Sequence, residues 1–286
     1  MSTASSLHID PAAVAGEIAR AMAAQVSGTL RRRGVVVALS GGVDSSVCAG
    51  LAARALGPAR VLGLAMPERE SDPRSLQLAR EWANALGIEL VVEDVTAILE
   101  AFGCYRRRDD AARRVVPELG PGWGMKVVLP GLEAERLNVT RLVVRAPDGT
   151  ERTVRLPGGV YREIVAASSF KQRARKMMEY FHADRLHYAV VGTPNRLEYD
   201  QGFFVKGGDG LADLKPIAHL YKTQVYALAR YLGVPDGILS PPPTTDPYTL
   251  PQPQDLPKDA VRVDILEGLD KKDSYEFTAS QIIKRF

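Results

Sequence analysis

Residues 35–39, Val-Val-Val-Ala-Leu, form a continuous β-branched and apolar run that stops abruptly at Ser40-Gly41-Gly42, after which a helical pattern runs from Val43 to Leu56. A strand with no polar alternation must be covered on both faces, which happens in parallel sheets flanked by helices. The same rhythm continues with a strand over Arg60–Ala65, a helix over Pro73–Leu86 and a strand over Ile88–Val92. Upstream, Pro11 follows Asp10, and Val14, Ile18, Met22 and Val26 share one helical face. That spacing predicts an amphipathic first helix, capped by Asp10 and ending near residues 31–33. The fold class is therefore α/β, a doubly wound parallel sheet with helices on both faces.

The rhythm breaks between about residues 105 and 159, where Arg106-Arg107-Arg108, Arg113-Arg114 and scattered Gly and Pro interrupt it. This stretch reads as an insertion, and Arg141–Arg145 and Thr150–Leu156 around Pro147-Asp148-Gly149 predict a β-hairpin inside it. Helical pattern returns at Ser168–Phe181, a strand follows at Tyr188–Val191, and a helix over Thr223–Leu232 is stopped by Gly233 and Pro235. Residues 241–257 carry seven prolines, which favour a stiff loop or a lid over regular structure. At roughly 100 to 200 residues per domain, 286 residues are read as one domain spanning 1–286. The 37 Lys plus Arg against 34 Asp plus Glu leave a charge of +3, too weak to argue for nucleic acid. Cys48 and Cys104 are too few for a disulfide framework or a four-ligand zinc site and suit a reducing compartment. Residues 1–30 mix Asp10, Glu17 and Arg20 into an Ala-rich stretch unlike a signal peptide, and no apolar run reaches the ~20 residues of a membrane span. A cytoplasmic protein without membrane attachment is expected.

The sharpest chemical signal is Ser40-Gly41-Gly42-Val43-Asp44-Ser45-Ser46, between the buried strand and the helix. Two glycines let the backbone approach an anion, and the helix start points free N–H groups and a partial positive charge at it. Ser40, Ser45 and Ser46 add hydroxyl donors. With no Lys after the glycines, this is not the GxxxxGK[ST] loop. Asp44 would repel a phosphate unless a cation lay between them, so it implies Mg2+ shared with pyrophosphate oxygens. A tight turn with Asp44 as a simple helix-start charge is the plainer alternative.

This loop resembles the pyrophosphatase loop of the ATP-pyrophosphatase superfamily, which splits ATP between its α and β phosphates to adenylate a substrate. Gly192-Thr193-Pro194-Asn195-Arg196-Leu197-Glu198, Gly202-Phe203-Phe204-Val205-Lys206-Gly207-Gly208-Asp209-Gly210-Leu211-Ala212-Asp213, Pro216 and Lys222-Thr223-Gln224 resemble the ammonia-dependent NAD synthase family within it. The likeness covers about residues 10–100 and 165–250. It implies an adenine nucleotide alpha-hydrolase-like fold, ATP as co-substrate, Mg2+, deamido-NAD and ammonia as further substrates, and a homodimer.

By the same resemblance Asp44 and Glu198 match the two magnesium carboxylates, and Ser40 to Ser46, Thr193, Lys222 and Thr244 match the ATP contacts. Arg173, Lys206 and Asp213 match contacts to deamido-NAD, with Asp209 in the same glycine-rich loop and Arg175 as the alternative to Arg173. Asp44, Lys222 and Asp209 are the candidate catalytic groups; Lys222 and Thr244 match the groups that hold the phosphates, since cations and donors aimed at a crowded α-phosphate lower its barrier. His8, His182, His187 and His219 are scattered and read as structural or surface groups, and Cys48 as a small core residue. The chain has no room for a glutamine-hydrolysing domain, so ammonia is free or comes from a partner glutaminase. Two features depart from the family: the 105–159 insertion, and the lack of a C-terminal His-Lys pair that contacts deamido-NAD. They leave open a related amide ligase acting on another carboxylic acid.

Overall fold

The computed structural model describes residues 7–128 and 140–240, with the backbone alone at 244–245 and 252–253. In chain order the elements are α1 (Pro11–Ala24), β1 (Val35–Ala38), α2 (Val43–Leu56), β2 (Val61–Ala65), α3 (Pro73–Leu86), β3 (Glu89–Val92), α4 (Thr96–Ala101) and α5 (Cys104–Arg113). They continue with β4 (Gly124–Val128), β5 (Arg141–Arg145), β6 (Glu151–Arg155), α6 (Gly158–Leu186), β7 (Ala189–Val191), α7 (Arg196–Asp200), α8 (Lys222–Tyr231) and α9 (Asp236–Leu239).

Among the described residues, four parallel strands lie in the order β3-β2-β1-β7. The apolar run at 35–39 is buried on both faces as expected: Val35, Val37 and Leu39 enter one core with α1, α2, α3 and α8, while Val36 joins Leu62, Leu64 and Val190 in a second core beneath α4, α5 and α6. Asp10 caps α1 through the amides of Ala12 and Ala13, and the helix widens into a π-helical turn over Gln25–Thr29. Because the chain steps outward from β1 to β2 and β3 but returns to place β7 on the other side of β1, strand order reverses at β1. Ligands of open α/β sheets bind outside the carboxyl ends of the strands at such a reversal. The loops after β1 and β7 meet there.

The stretch read as an insertion is more regular than expected. Its hairpin is present as β5 and β6, and β4 pairs with β5 to make a three-stranded antiparallel sheet. Met125, Val127, Leu142 and Val144 face a third core shared with α5 and the start of α6. α5 was not legible because three successive arginines look like a solvated run, yet Arg108 turns inward. α6 begins at Gly158, ten residues before the expected start, because Val160 and Ile164 pack onto the small sheet and outweigh the two leading glycines. The lid expectation for 241–257 and the C-terminal segment lie outside the described residues, except that Thr244-Thr245 pairs antiparallel with Gln252-Pro253. Among the described residues no helix is long and apolar enough to cross a membrane.

Candidate active site

The glycine turn after β1 is held from several sides. Gly41 takes φ +77°, and a Cβ there would lie 2.6 Å from the Ser75 carbonyl oxygen, so only glycine fits. Gly42 caps α2 in an extended conformation, and the first helical bond from this turn is Ser46 N–H to Gly42 O at 3.1 Å. The amides of Val43, Asp44 and Ser45 therefore precede the helical ladder and carry the positive end of the helix dipole. Ser45 and Ser46 hydroxyls donate to Gly42 O at 2.9 and 2.8 Å, and Gly42 N–H donates to Ser40 Oγ at 3.3 Å. The Trp82 indole N–H, donating to Ser46 O at 2.9 Å, fixes the first turn of α2 against α3.

Asp44, on the first turn of α2, meets groups from two distant segments. Its carboxylate forms an ion pair with Lys222, the first residue of α8. A lysine at a helix N-terminus is ordinarily disfavoured by the dipole; here Asp44 offsets that cost. The Asn195 side-chain amide donates to Asp44 Oδ1 at 3.3 Å across 151 residues of sequence. The same Asn195 caps α7, and its backbone N–H donates to Glu198 Oε2 at 2.9 Å, completing a reciprocal capping box. Glu198 is thus folded back onto Asn195, the residue that also binds Asp44, and its carboxyl is pushed up to about 7, first by burial and then by the charge of Asp44. Cys48, one turn below, is fully buried; burial and the two carboxylates push its thiol up, as suits an inert core residue.

Among the described residues no three His, Cys, Asp or Glu side chains are gathered around one point. Asp44 and Glu198 together offer oxygen donors from two sides, the chemistry a hard divalent cation accepts when phosphate oxygens supply the rest. Around them the carboxylates of Asp44, Glu198, Asp209 and Glu179 lie within reach of three cationic groups, Lys222, Lys176 and Arg175.

The glycine-rich segment 203–213 lies between α6 and β7. Asp209 is partly buried and its Oδ1 accepts Val205 N–H at 2.7 Å; burial pushes its carboxyl up. Asp213 accepts Val190 N–H at 2.7 Å and the Tyr180 hydroxyl at 3.3 Å, so it ties the segment to β7 and α6. Arg173 donates from Nε to the Lys206 carbonyl at 3.1 Å, while Arg175 donates from Nε to the Met66 carbonyl at 3.1 Å. The two arginines, alternatives in sequence, point to different loops. The Lys206 side chain is exposed, and Thr193 sits partly buried just beyond the carboxyl end of β7. The side chain of Thr244 lies outside the described residues.

Asn195 carried no role in the sequence reading although its place three residues before Glu198 is a capping-box spacing. A second group also went unseen: Glu68 and Glu70 after β2, Lys171 on α6, and Tyr105 and Arg108 on α5. Lys171 Nζ contacts Glu68 Oε1 at 2.8 Å and Glu70 Oε2 at 2.7 Å, and the Tyr105 hydroxyl donates to Glu68 Oε2 at 2.6 Å. No local spacing announces this buried network. His182 accepts Arg185 Nε–H at Nδ1 (3.1 Å) and donates from Nε2 to Glu93 Oε1 (2.9 Å), a buried structural role.

The family model for NAD synthase matches residues 17–116 and 140–276. The NH(3)-dependent NAD(+) synthetase of Rhizobium rhizogenes is 58% identical over 250 residues, 87% of this chain and 75% of that protein. That of Thermotoga maritima is 39% identical over 215 residues, 75% of this chain and 71% of its own length. Among solved structures, NMN synthetase from Francisella tularensis superposes with a TM-score of 0.65 at 21% identity, covering 97% of this chain and 96% of that one. NH3-dependent NAD synthetase from Campylobacter jejuni, in complex with the nitrate ion, gives 0.62 at 21% identity over 97% and 93%. These two establish the fold, adenine nucleotide alpha-hydrolase-like as expected. With the family model and the high-identity relatives covering most of its length, the chain belongs to the NAD synthase family.

Proposed function

We propose that this chain is an ammonia-dependent NAD synthase. The observation that carries the reading is the convergence of Asp44, Asn195, Glu198 and Lys222 over an anion-binding turn at the strand-order reversal. The amides of Val43 to Ser45 and the hydroxyl of Ser40 receive the β and γ phosphates of ATP, while the Ser45 and Ser46 hydroxyls, whose protons go to Gly42 O, brace the turn. Thr193 and Thr244 flank the same nucleotide. Lys222 supplies positive charge at the α-phosphate, where negative charge accumulates during transfer. Asp44 and Glu198 would hold Mg2+, which would supply positive charge to the pyrophosphate leaving group.

The 203–213 segment receives deamido-NAD, with Lys206 and Arg173 or Arg175 for its phosphates and Asp213 for a ribose hydroxyl. The pyridine carboxylate attacks the α-phosphorus, a carboxyl–phosphate bond forms, and the bond to the β-phosphate oxygen breaks. Ammonia then bonds to the carbonyl carbon, AMP departs, and the nitrogen sheds a proton, for which we assign Asp209 as the acceptor. No covalent enzyme intermediate is needed.

We read residues 1–286 as one catalytic domain acting in the cytoplasm, a reading supported by two buried free thiols. Exposed Met177 and Phe181, one turn apart on α6, support pairing of two copies. The test is incubation with ATP, Mg2+, ammonium and deamido-NAD, following AMP and NAD together. Equal yields of the two are expected; AMP formed only with a different acid would replace the acceptor, and release of ADP would overturn the reading.

A further inference from the structure

The face of α6 turned toward the active site carries an unusual load. Along it, Gln172 backs Gly208 so closely that a Cβ on that glycine would lie 2.9 Å from Gln172 Cβ. Arg173 grips the Lys206 carbonyl at 3.1 Å, and Tyr180 reaches Asp213 at 3.3 Å. Between these contacts, at the level of Asp209, the helix places Lys176 and Glu179, an ion pair of 2.6 Å in which each side chain is only 5% exposed. Lys176 acts on the Asp209 carboxylate as a neighbouring positive charge, Glu179 feels Asp209 as a neighbouring negative one, and Asp209 in turn is felt at Glu198. Asp209 is therefore within electrostatic reach of both the α6 pair and Glu198.

A buried ion pair adds little net stability compared with apolar residues of the same size, because desolvation consumes most of the attraction. What it can do is specify one arrangement, since only one placement of the opposing Asp209 satisfies the charges. We propose that Lys176 and Glu179 are positioning residues that hold Asp209, and with it the 203–211 segment, in the orientation that receives the acceptor dinucleotide. The proposal rests on the functional reading for its consequence in turnover, but its structural half stands independently of which acid is used.

The experiment compares wild type, Lys176→Arg, and the double variant Lys176→Met with Glu179→Met, which removes both charges together and leaves apolar groups of similar volume. Amide hydrogen exchange of residues 203–211 should speed up by about tenfold or more in the double variant while residues of β1 and α2 exchange as in wild type. The KM for deamido-NAD should rise by about tenfold with the KM for ATP within about twofold, and Lys176→Arg should retain most of the wild-type value. Unchanged exchange at 203–211 in a folded double variant overturns the proposal whatever the substrate. So does a wild-type KM for deamido-NAD in that variant. If wild type itself makes no NAD from deamido-NAD, the functional reading fails, and the exchange result alone decides for or against the positioning role.

Discussion

Replacing Glu70 by Gln isolates the charge of one carboxylate in the buried network that joins the loop after β2 to α5 and α6. The side chain is 12% exposed, and its two oxygens accept the terminal nitrogens of Arg108 at 2.6 and 2.8 Å, while Lys171 Nζ adds a contact at 2.7 Å. Burial alone would raise this carboxyl; the hydrogen bonds and charges of Arg108 and Lys171 outweigh it and hold the group at about 2 against an ordinary 4.5. A depression of that size corresponds to roughly 3 kcal/mol of folding stability at neutral pH. Because the folded value lies below the unfolded one, this contribution is complete above about pH 4.5 and is lost as pH falls toward about 2. Glu70→Gln keeps the shape and removes the charge, so it should destabilise the chain by roughly 3 kcal/mol at pH 7, and the gap should shrink to less than half by about pH 3. Urea unfolding of both proteins from about pH 7 down to about pH 3, read as midpoint and slope, measures the gap directly. A difference that stays constant across that range would refute the reasoning, since it would mean that packing, not ionisation, carries the cost.

Asn195→Ala should cut turnover about tenfold or more by freeing Asp44 and Glu198 from their shared partner, with about 1 kcal/mol lost from the α7 cap, checked by steady-state kinetics beside a thermal melt. Gly41→Ala meets both a positive φ and the Ser75 carbonyl, so about 1–3 kcal/mol of stability should disappear, and nucleotide affinity with it, in calorimetric unfolding and ATP titration. Asp10→Ala removes the cap of α1 far from the site, so about 1 kcal/mol of stability should be lost while kinetic constants stay at wild-type values.

The parts of this chain that could be read in advance are those whose cause is local. α2 and α3 have the expected bounds because Gly42 and Pro73 start them and Gly57 and Gly87 stop them, each signal sitting beside the element it limits. The proximity of Asp44, Glu198 and Lys222 was legible only through the resemblance, since their meeting depends on β7 lying beside β1. What stayed hidden depends on partners far along the chain. Arg108 looks like the third member of a solvated run until Glu70, 38 positions earlier, faces it. Likewise, spacing alone cannot say that Arg173 turns to the Lys206 carbonyl and Arg175 to Met66, because helical residues two apart point about 200° apart and only packing decides which face is inward.

α6 is 29 residues long, about 43 Å of continuous rod. Its first turns, through Val160 and Ile164, complete the core of the antiparallel sheet, while Ala174 and Ala183 farther along complete the core beneath the parallel one. Neither sheet can therefore shed its cover without stripping apolar surface from a helix the other still needs. The two are expected to melt as one cooperative block, and excising the small sheet would leave Val160 and Ile164 bare to water on the same rod that ties down Lys206 and Asp213 through Arg173 and Tyr180.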